Sequence, residues 1–124
     1  MITGGRSALS GRRVLEIADE SGAYCGKLLA DMGADVIKLE CPGGDPSRGI
    51  PPFLEDLPGE DRSLHFLYTN TSKRGVTLDV QHPDGRALLR TLALSADVVL
   101  ETLPVGQLAS LGIGYASLAA EKPE

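Results

Sequence analysis

Two short apolar runs bracket a helical pattern near the start of the chain, and that arrangement restricts the fold more than any other feature. Arg13 to Ile17 (RVLEI) is a strand-forming run, preceded by Gly11 and followed by the polar turn Ala18-Asp19-Glu20-Ser21-Gly22. Cys25, Leu28, Leu29 and Met32 then fall at i, i+3, i+4 and i+7, which predicts a helix with one apolar stripe facing the core. Ser21 is the expected N-cap and Gly33 the expected residue after the C-cap. Val36 to Glu40 reads as a second strand. A strand, a helix and a strand in so short a span form a βαβ unit, whose crossover makes the strands parallel and right-handed.

The same alternation returns after an interruption. Residues 41–62 hold five of the 8 prolines (Pro42, Pro46, Pro51, Pro52, Pro58) and four glycines, so this segment is neither a helix nor an inner strand. A loop of that length commonly covers a site. Ser63–Tyr68 is predicted as a short helix and Gly75–Val80 (GVTLDV) as a third strand. Pro83 opens a helix to about Leu94 with Leu88, Leu89 and Leu92 inward, and Val98–Glu101 is a fourth strand. Pro104 opens a helix ending near Gly112, and a last one spans Tyr115–Ala120. The expected class is α/β, a Rossmann-like and mostly parallel sheet flanked by helices. A helix ends at Glu121-Lys122-Pro123-Glu124 where the alternation predicts another strand, so residues 1–124 are expected to be a segment of a longer protein.

With 124 residues there is room for one core. Net charge is −5 and no cluster of Lys or Arg is dense enough to follow a phosphate backbone, which argues against nucleic acid as a partner. The sequence has no apolar run long enough to span a membrane (about 18 residues) and no signal-peptide pattern at its start, so a cytoplasmic location is expected. Cys25 and Cys41 lack the spacing and the neighbouring His of a zinc or redox site. Cys25 is read as a small core residue. His65, among Leu64, Phe66 and Leu67, is read as half-buried and structural, and His82, before Pro83, as exposed.

Open α/β sheets bind ligands beyond the carboxyl ends of their strands, which makes Asp19–Ala23, Cys41–Arg48, Leu78–Gln81 and Glu101–Gly106 the loops of interest. Ser21 and Gly22 open a helix whose free amides suit an anion, although Ser21 also caps that helix. Glu40 ends the second strand, where nucleotide-binding domains use an acid to hold a ribose. An S-adenosylmethionine-dependent methyltransferase-like domain therefore enters as an alternative, with VLEI as its strand. The turn opposes it, because Gly22 is its only glycine and Asp19 and Glu20 stand where the cofactor would approach.

Four collinear segments carry a more specific signal: LSGRRVLEIA, LLADMGADVIKLECPGGDPSRG, NTSKRGVTLDVQHPDGRALL and ADVVLETLPVGQLASLGIGYASL. In order and spacing they resemble the N-terminal part of the class III CoA-transferases, the carnitine and bile-acid type, over residues 9–120. The resemblance implies a Rossmann-like CoA-binding segment in an interlocked homodimer. It implies acyl-CoA and carboxylic acids as substrates, with no permanently bound cofactor. An Asp nucleophile, located beyond residue 124, attacks the thioester to give a mixed anhydride, which CoA thiolate converts to an enzyme–CoA thioester. The segment alone is then inactive.

Carried over by position, Leu78 and Leu111 lie near the nucleotide part of CoA, and Glu20, Ser21, Gly22 and Ala23 form the turn approaching pantetheine and thiol. Thr102 and Leu103 replace an amide and an aromatic ring. Cys41, Gln81 and Ser110 stand where some family members place basic residues toward the CoA phosphates, leaving Arg48, Lys73 and Arg74 as basic candidates. These losses leave open a regulatory or interaction module that kept the fold without the ligand; the retained Gly43-Gly44-Asp45-Pro46-Ser47-Arg48 loop opposes it.

Overall fold

A computed structural model describes residues 6–123. Four strands, β1 (Arg13–Ile17), β2 (Asp35–Glu40), β3 (Arg74–Thr77) and β4 (Val98–Glu101), form one sheet in the order β3-β2-β1-β4. Every pairing is parallel, with Val14 opposite Val36 and Val98, and Leu39 opposite Val76. The helices are α1 (Glu20–Asp31), α2 (Leu64–Thr69), α3 (Pro83–Ser95), α4 (Gln107–Ser110) and α5 (Tyr115–Glu121). β3 starts one residue earlier than the sequence predicts and is shorter. Residues 41–62 contain two 3-10 turns and a single bridge between Phe53 and Ser63, so this long connection has internal order without a strand of its own.

Alternation along the strands sorts the core into two layers. Leu15, Ile17, Ile37 and Leu39 face α3 and pack with Leu89, Ala93 and Ile113. Val14 and Val36 face α1 with Ala30 and Ala34. Glu16 and Lys38 follow those α1-facing valines by the same period of two, so they share that face, and they are register partners. Both are buried.

That buried pair overturns the expected orientation of α1. Leu28 and Met32 are 44% and 45% exposed, Cys25 is exposed rather than in the core, and only Leu29 is partly buried against the sheet. Gly22, Ala23, Gly26 and Ala30 form the inward face instead. The helix passes so close to the Glu16 carboxylate that a Cβ on Gly26 would lie 1.7 Å from Glu16 Oε2. Periodicity finds an apolar stripe, but closeness of approach decides which face goes in, and small residues won. The N-cap is Asp19 rather than Ser21, its carboxylate accepting from the Ser21 amide at 3.0 Å and hydroxyl at 2.6 Å. Gly33 follows the C-cap at φ +96°, as expected. In α3, Leu89 is buried and Leu92 partly so, while Leu88 points outward. α4 begins at Gln107, after the left-handed Gly106, rather than at Pro104.

The outer edge of β4 carries no strand among the described residues, and a cleft of about 450 Å³ lies along it, lined by Val98, Val99, Leu108, Tyr115 and Leu118 among others. No helix among the described residues is long and apolar enough to cross a membrane.

Gly26→Ala is expected to destabilise the protein by about 2–3 kcal/mol, because the added methyl meets a buried, doubly paired carboxylate. Denaturant unfolding measures this, and an unchanged midpoint would contradict the close approach of α1 to the sheet.

Candidate CoA-binding rim at the carboxyl ends of the strands

In a sheet ordered β3-β2-β1-β4, the chain runs outward from β1 in one direction and returns to add β4 on the other side. That reversal sets the loops after β1 and β4 side by side at the carboxyl ends of the strands, where such sheets bind ligands. Asp19 and Thr102 join the two loops. The Asp19 amide donates to Thr102 Oγ1 at 3.0 Å, and that hydroxyl lies 3.0 Å from Asp19 Oδ1. Hydrogen bonds from the Ser21 hydroxyl and amide, and then from Thr102, hold the Asp19 carboxyl below its ordinary range. A Cβ on Gly22 would sit 2.7 Å from Thr102 Cγ2, so glycine is what lets the start of α1 meet the β4 loop. The Leu103 amide donates to Glu101 Oε2 at 2.6 Å, which fixes the first residues of that loop.

Leu78, Leu103 and Leu111 come from three separate connections, yet all three pack partly buried against the α3-side core. Each therefore offers some apolar surface at the rim while its base is held. Cys41, Gln81 and Ser110 are exposed.

The basic candidates are placed differently from one another. Lys73 runs under α1 into the sheet, its Nζ 3.0 Å from Glu16 Oε1 and 2.8 Å from Oε2, and it donates to Ala23 O and Asn70 Oδ1, each at 2.8 Å. Burial pushes its pKa down, against the opposing pull of Glu16. On the other side of Glu16, Lys38 Nζ lies 3.1 Å from Oε1, 2.9 Å from Asp45 Oδ2 and 2.8 Å from Ala18 O. Two lysines thus balance two buried carboxylates, and their remaining protons hold Ala18 and Ala23, either side of the start of α1. Arg48 grips Glu40 with two bonds of 2.8 and 2.7 Å, reaches Asp61 at 2.8 Å and lies over the Phe66 ring at 3.9 Å. Arg74 pairs with Asp35 at the opposite, amino end of the sheet. An acidic cleft of about 270 Å³, lined by Glu40, Gly43, Gly44, Arg48, Glu60, Asp61 and Thr77, opens beside β2 and β3.

Sequence reasoning missed Asp19, Glu16, Lys38 and Asp45. A signal existed: an acid and a base at matching places within two otherwise apolar strands. His82 is exposed as expected and accepts from the Asp84 amide as the N-cap of α3, while His65 is half-buried. Among the described residues no group of three His, Cys, Asp or Glu is placed to hold a metal ion.

Arg48, helped by the Asp45 amide, lowers the Glu40 pKa against the cost of its burial. A depressed carboxylate stabilises the fold above its ordinary pKa of 4.5 and loses that contribution as pH falls through the lower folded value. Glu40→Gln should therefore flatten the decline of Tm between about pH 5 and pH 3. A Tm curve parallel to wild type over that range would exclude the linkage.

With the geometry in place, comparison with known proteins is informative. The family model for CoA-transferase family III matches residues 9–124. Succinate–glutarate CoA-transferase of Agrobacterium fabrum is 46% identical over 120 residues, covering 94% of this chain and 30% of that protein. A subunit of succinyl-CoA:(R)-benzylsuccinate CoA-transferase of Thauera aromatica is 41% identical over 109 residues, covering 88% of this chain and 27% of its own. The crystal structure of a CAIB/BAIF family protein from Brucella suis superposes with a TM-score of 0.83 at 42% identity, over 94% of this chain and 31% of that one. The chain thus spans roughly 30% of the length of the relatives it matches. A family model matching residues 9–124, together with relatives 41–46% identical over most of the chain, makes the chain a member of CoA-transferase family III.

Proposed function

We propose that residues 1–124 form the CoA-binding part of an enzyme that transfers CoA between carboxylic acids. The observation that carries this reading is the match to the CoA-transferase family III model over residues 9–124, with Leu78, Leu103 and Leu111 each partly buried against the α3-side core. CoA lies along this rim with its nucleotide against Leu78 and Leu111. Its pantetheine runs over the joined β1 and β4 loops, past Thr102 and Leu103, toward the start of α1. The Lys38 and Lys73 network fixes the turn and makes no ligand contact; Arg48 and Arg74 likewise serve the frame, given their carboxylate partners.

The catalytic carboxylate comes from outside these residues. It attacks the thioester carbonyl of the acyl-CoA donor, forming a mixed anhydride and expelling CoA thiolate. The thiolate attacks the enzyme's own carbonyl in that anhydride, releasing the donor acid and leaving an enzyme–CoA thioester. The acceptor carboxylate then attacks this thioester, and the freed thiolate takes the acceptor acyl group and restores the enzyme carboxylate. Relatives are named for succinyl-CoA or formyl-CoA as donor and for benzylsuccinate or oxalate as acceptor, which supports carboxylic acids as the substrate class. The full protein is proposed to act as an interlocked homodimer in the cytoplasm, without a resident cofactor.

Mixing the full-length protein with an acyl-CoA and measuring intact mass should reveal a covalent CoA adduct that hydroxylamine removes. Failure to form it with any small acyl-CoA, in a protein that binds CoA, would refute the mechanism. Calorimetric titration should show CoA binding with no response to S-adenosylmethionine. A charge at the apolar wall, in Leu78→Glu or Leu111→Glu, should weaken CoA by about tenfold or more, the scale of losing a buried leucine's contact. Equal affinity in a folded variant would remove that residue from the site.

A further inference from the structure

Coenzyme A brings several negative charges to a rim that is itself acidic, with Glu40, Glu60, Asp61, Asp79 and Glu101 around it. A census of the cations shows which of them is left to meet that charge. Lys38, Lys73 and Arg48 are paired with Glu16, Asp45, Glu40 and Asp61. Arg62 holds Glu55, Lys27 holds Asp31, and Arg90 is bonded to Glu121. Arg12, Arg13 and Arg74 serve Asp97 and Asp35 at the amino ends of the strands. Arg6 adjoins Ser7, which abuts Gly33 at that same amino end. Lys122 bonds the carbonyls of Leu94 and Ala96 at the C-terminal end of α3.

Arg86 is the exception at the carboxyl end. It is exposed and, among the described residues, has no carboxylate partner. Its Nε donates to Val80 O at 3.0 Å and its Nη2 to Gln81 O at 2.9 Å. These two bonds lay the guanidinium along the β3–α3 loop, two to three residues from Leu78. The carbonyls are neutral, so the full positive charge remains, and Nη1 with the second Nη2 proton is left to donate. The support beneath it is tight: a Cβ on Gly85 would come within 1.9 Å of Asp79 O, so α3 begins hard against this loop. Asp79 and Asp84 stand nearby, the first accepting from the Gln81 amide and the second 3.7 Å from His82 Nδ1.

We propose that Arg86 is the residue of this segment that binds the phosphates of CoA, in place of a basic side chain at Gln81. The proposal rests on the reading of the rim as a CoA site. A guanidinium held by two carbonyls is already ordered before the ligand arrives, so little rotamer freedom is lost on contact.

The test titrates the full-length protein and its Arg86→Gln and Arg86→Lys variants with CoA, dephospho-CoA and pantetheine. Arg86→Gln should weaken CoA about tenfold, the scale of a lost charge-assisted bond, and leave pantetheine unchanged. Arg86→Lys should retain part of the affinity, and wild-type affinity should fall with added salt more steeply than that of Arg86→Gln. A loss that persists with dephospho-CoA assigns the contact to the pyrophosphate, and one that disappears assigns it to the 3′-phosphate. Unchanged CoA affinity in Arg86→Gln overturns the proposal while leaving the CoA site intact. An equal loss for pantetheine overturns it in favour of a purely structural clamp. Should Arg86→Gln not fold, a wild-type affinity indifferent to salt overturns it as well. A wild-type protein that binds no CoA removes the underlying reading and this one with it.

Discussion

The Glu16 carboxylate, shut away from water between Lys38 and Lys73, sets where most of the carboxyl end of this sheet can lie. Both oxygens are within ion-pair distance of an ammonium group. An unbalanced charge at that depth would cost several kcal/mol, so each lysine is held in place by the acid, and the acid by both. Their remaining protons go to Ala18 O and Ala23 O, and Lys38 also reaches Asp45. One buried cluster therefore joins β1, β2, the start of α1, the Gly-Gly-Asp-Pro-Ser loop and the approach to β3. Gly26 is the steric counterpart, since only a residue without a Cβ lets α1 pass over that carboxylate.

From this arrangement follows a division of labour among the charges. Cations deep in the fold fix geometry, and those at the amino ends of the strands close salt bridges there. The rim keeps apolar contacts from three leucines and one guanidinium tethered by carbonyls. In the proposed CoA site, these would serve as a wall for the nucleotide and a donor for the phosphates. The positions Cys41, Gln81 and Ser110, where some family members carry basic residues, are exposed and neutral, and Arg86 lies five residues further along the chain than Gln81, in the first turn of α3.

Strand positions, the parallel sense of the sheet, the helix starts at Ser63 and Pro83 and the long connection after β2 were legible in the sequence because each depends on local pattern. The facing of α1 was not. Its periodic stripe of Cys25, Leu28 and Met32 looks like a core face, and only the depth of Glu16 shows that the true inner face must be glycine and alanine. On α3, Leu88 points outward while Leu89 is buried and Leu92 partly so, because the sheet face covers only part of the helix's apolar positions. At the proposed site, the leucines came from family resemblance, and each is partly buried against the α3-side core. Arg86 was invisible because an arginine in the first turn of a helix has no distinguishing spacing. It stands out only once the other cations have been matched to their acids.

Hydrogen exchange on the full-length protein, with and without CoA, tests the location of the site most directly. The account predicts slowed exchange in three separated segments, residues 19–23, 78–86 and 102–111, with residues 6–12 and 33–35 at the amino ends unaffected. Protection confined to the β4 edge cleft around Val98 and Tyr115, or absent from all three segments while CoA is bound, would contradict it.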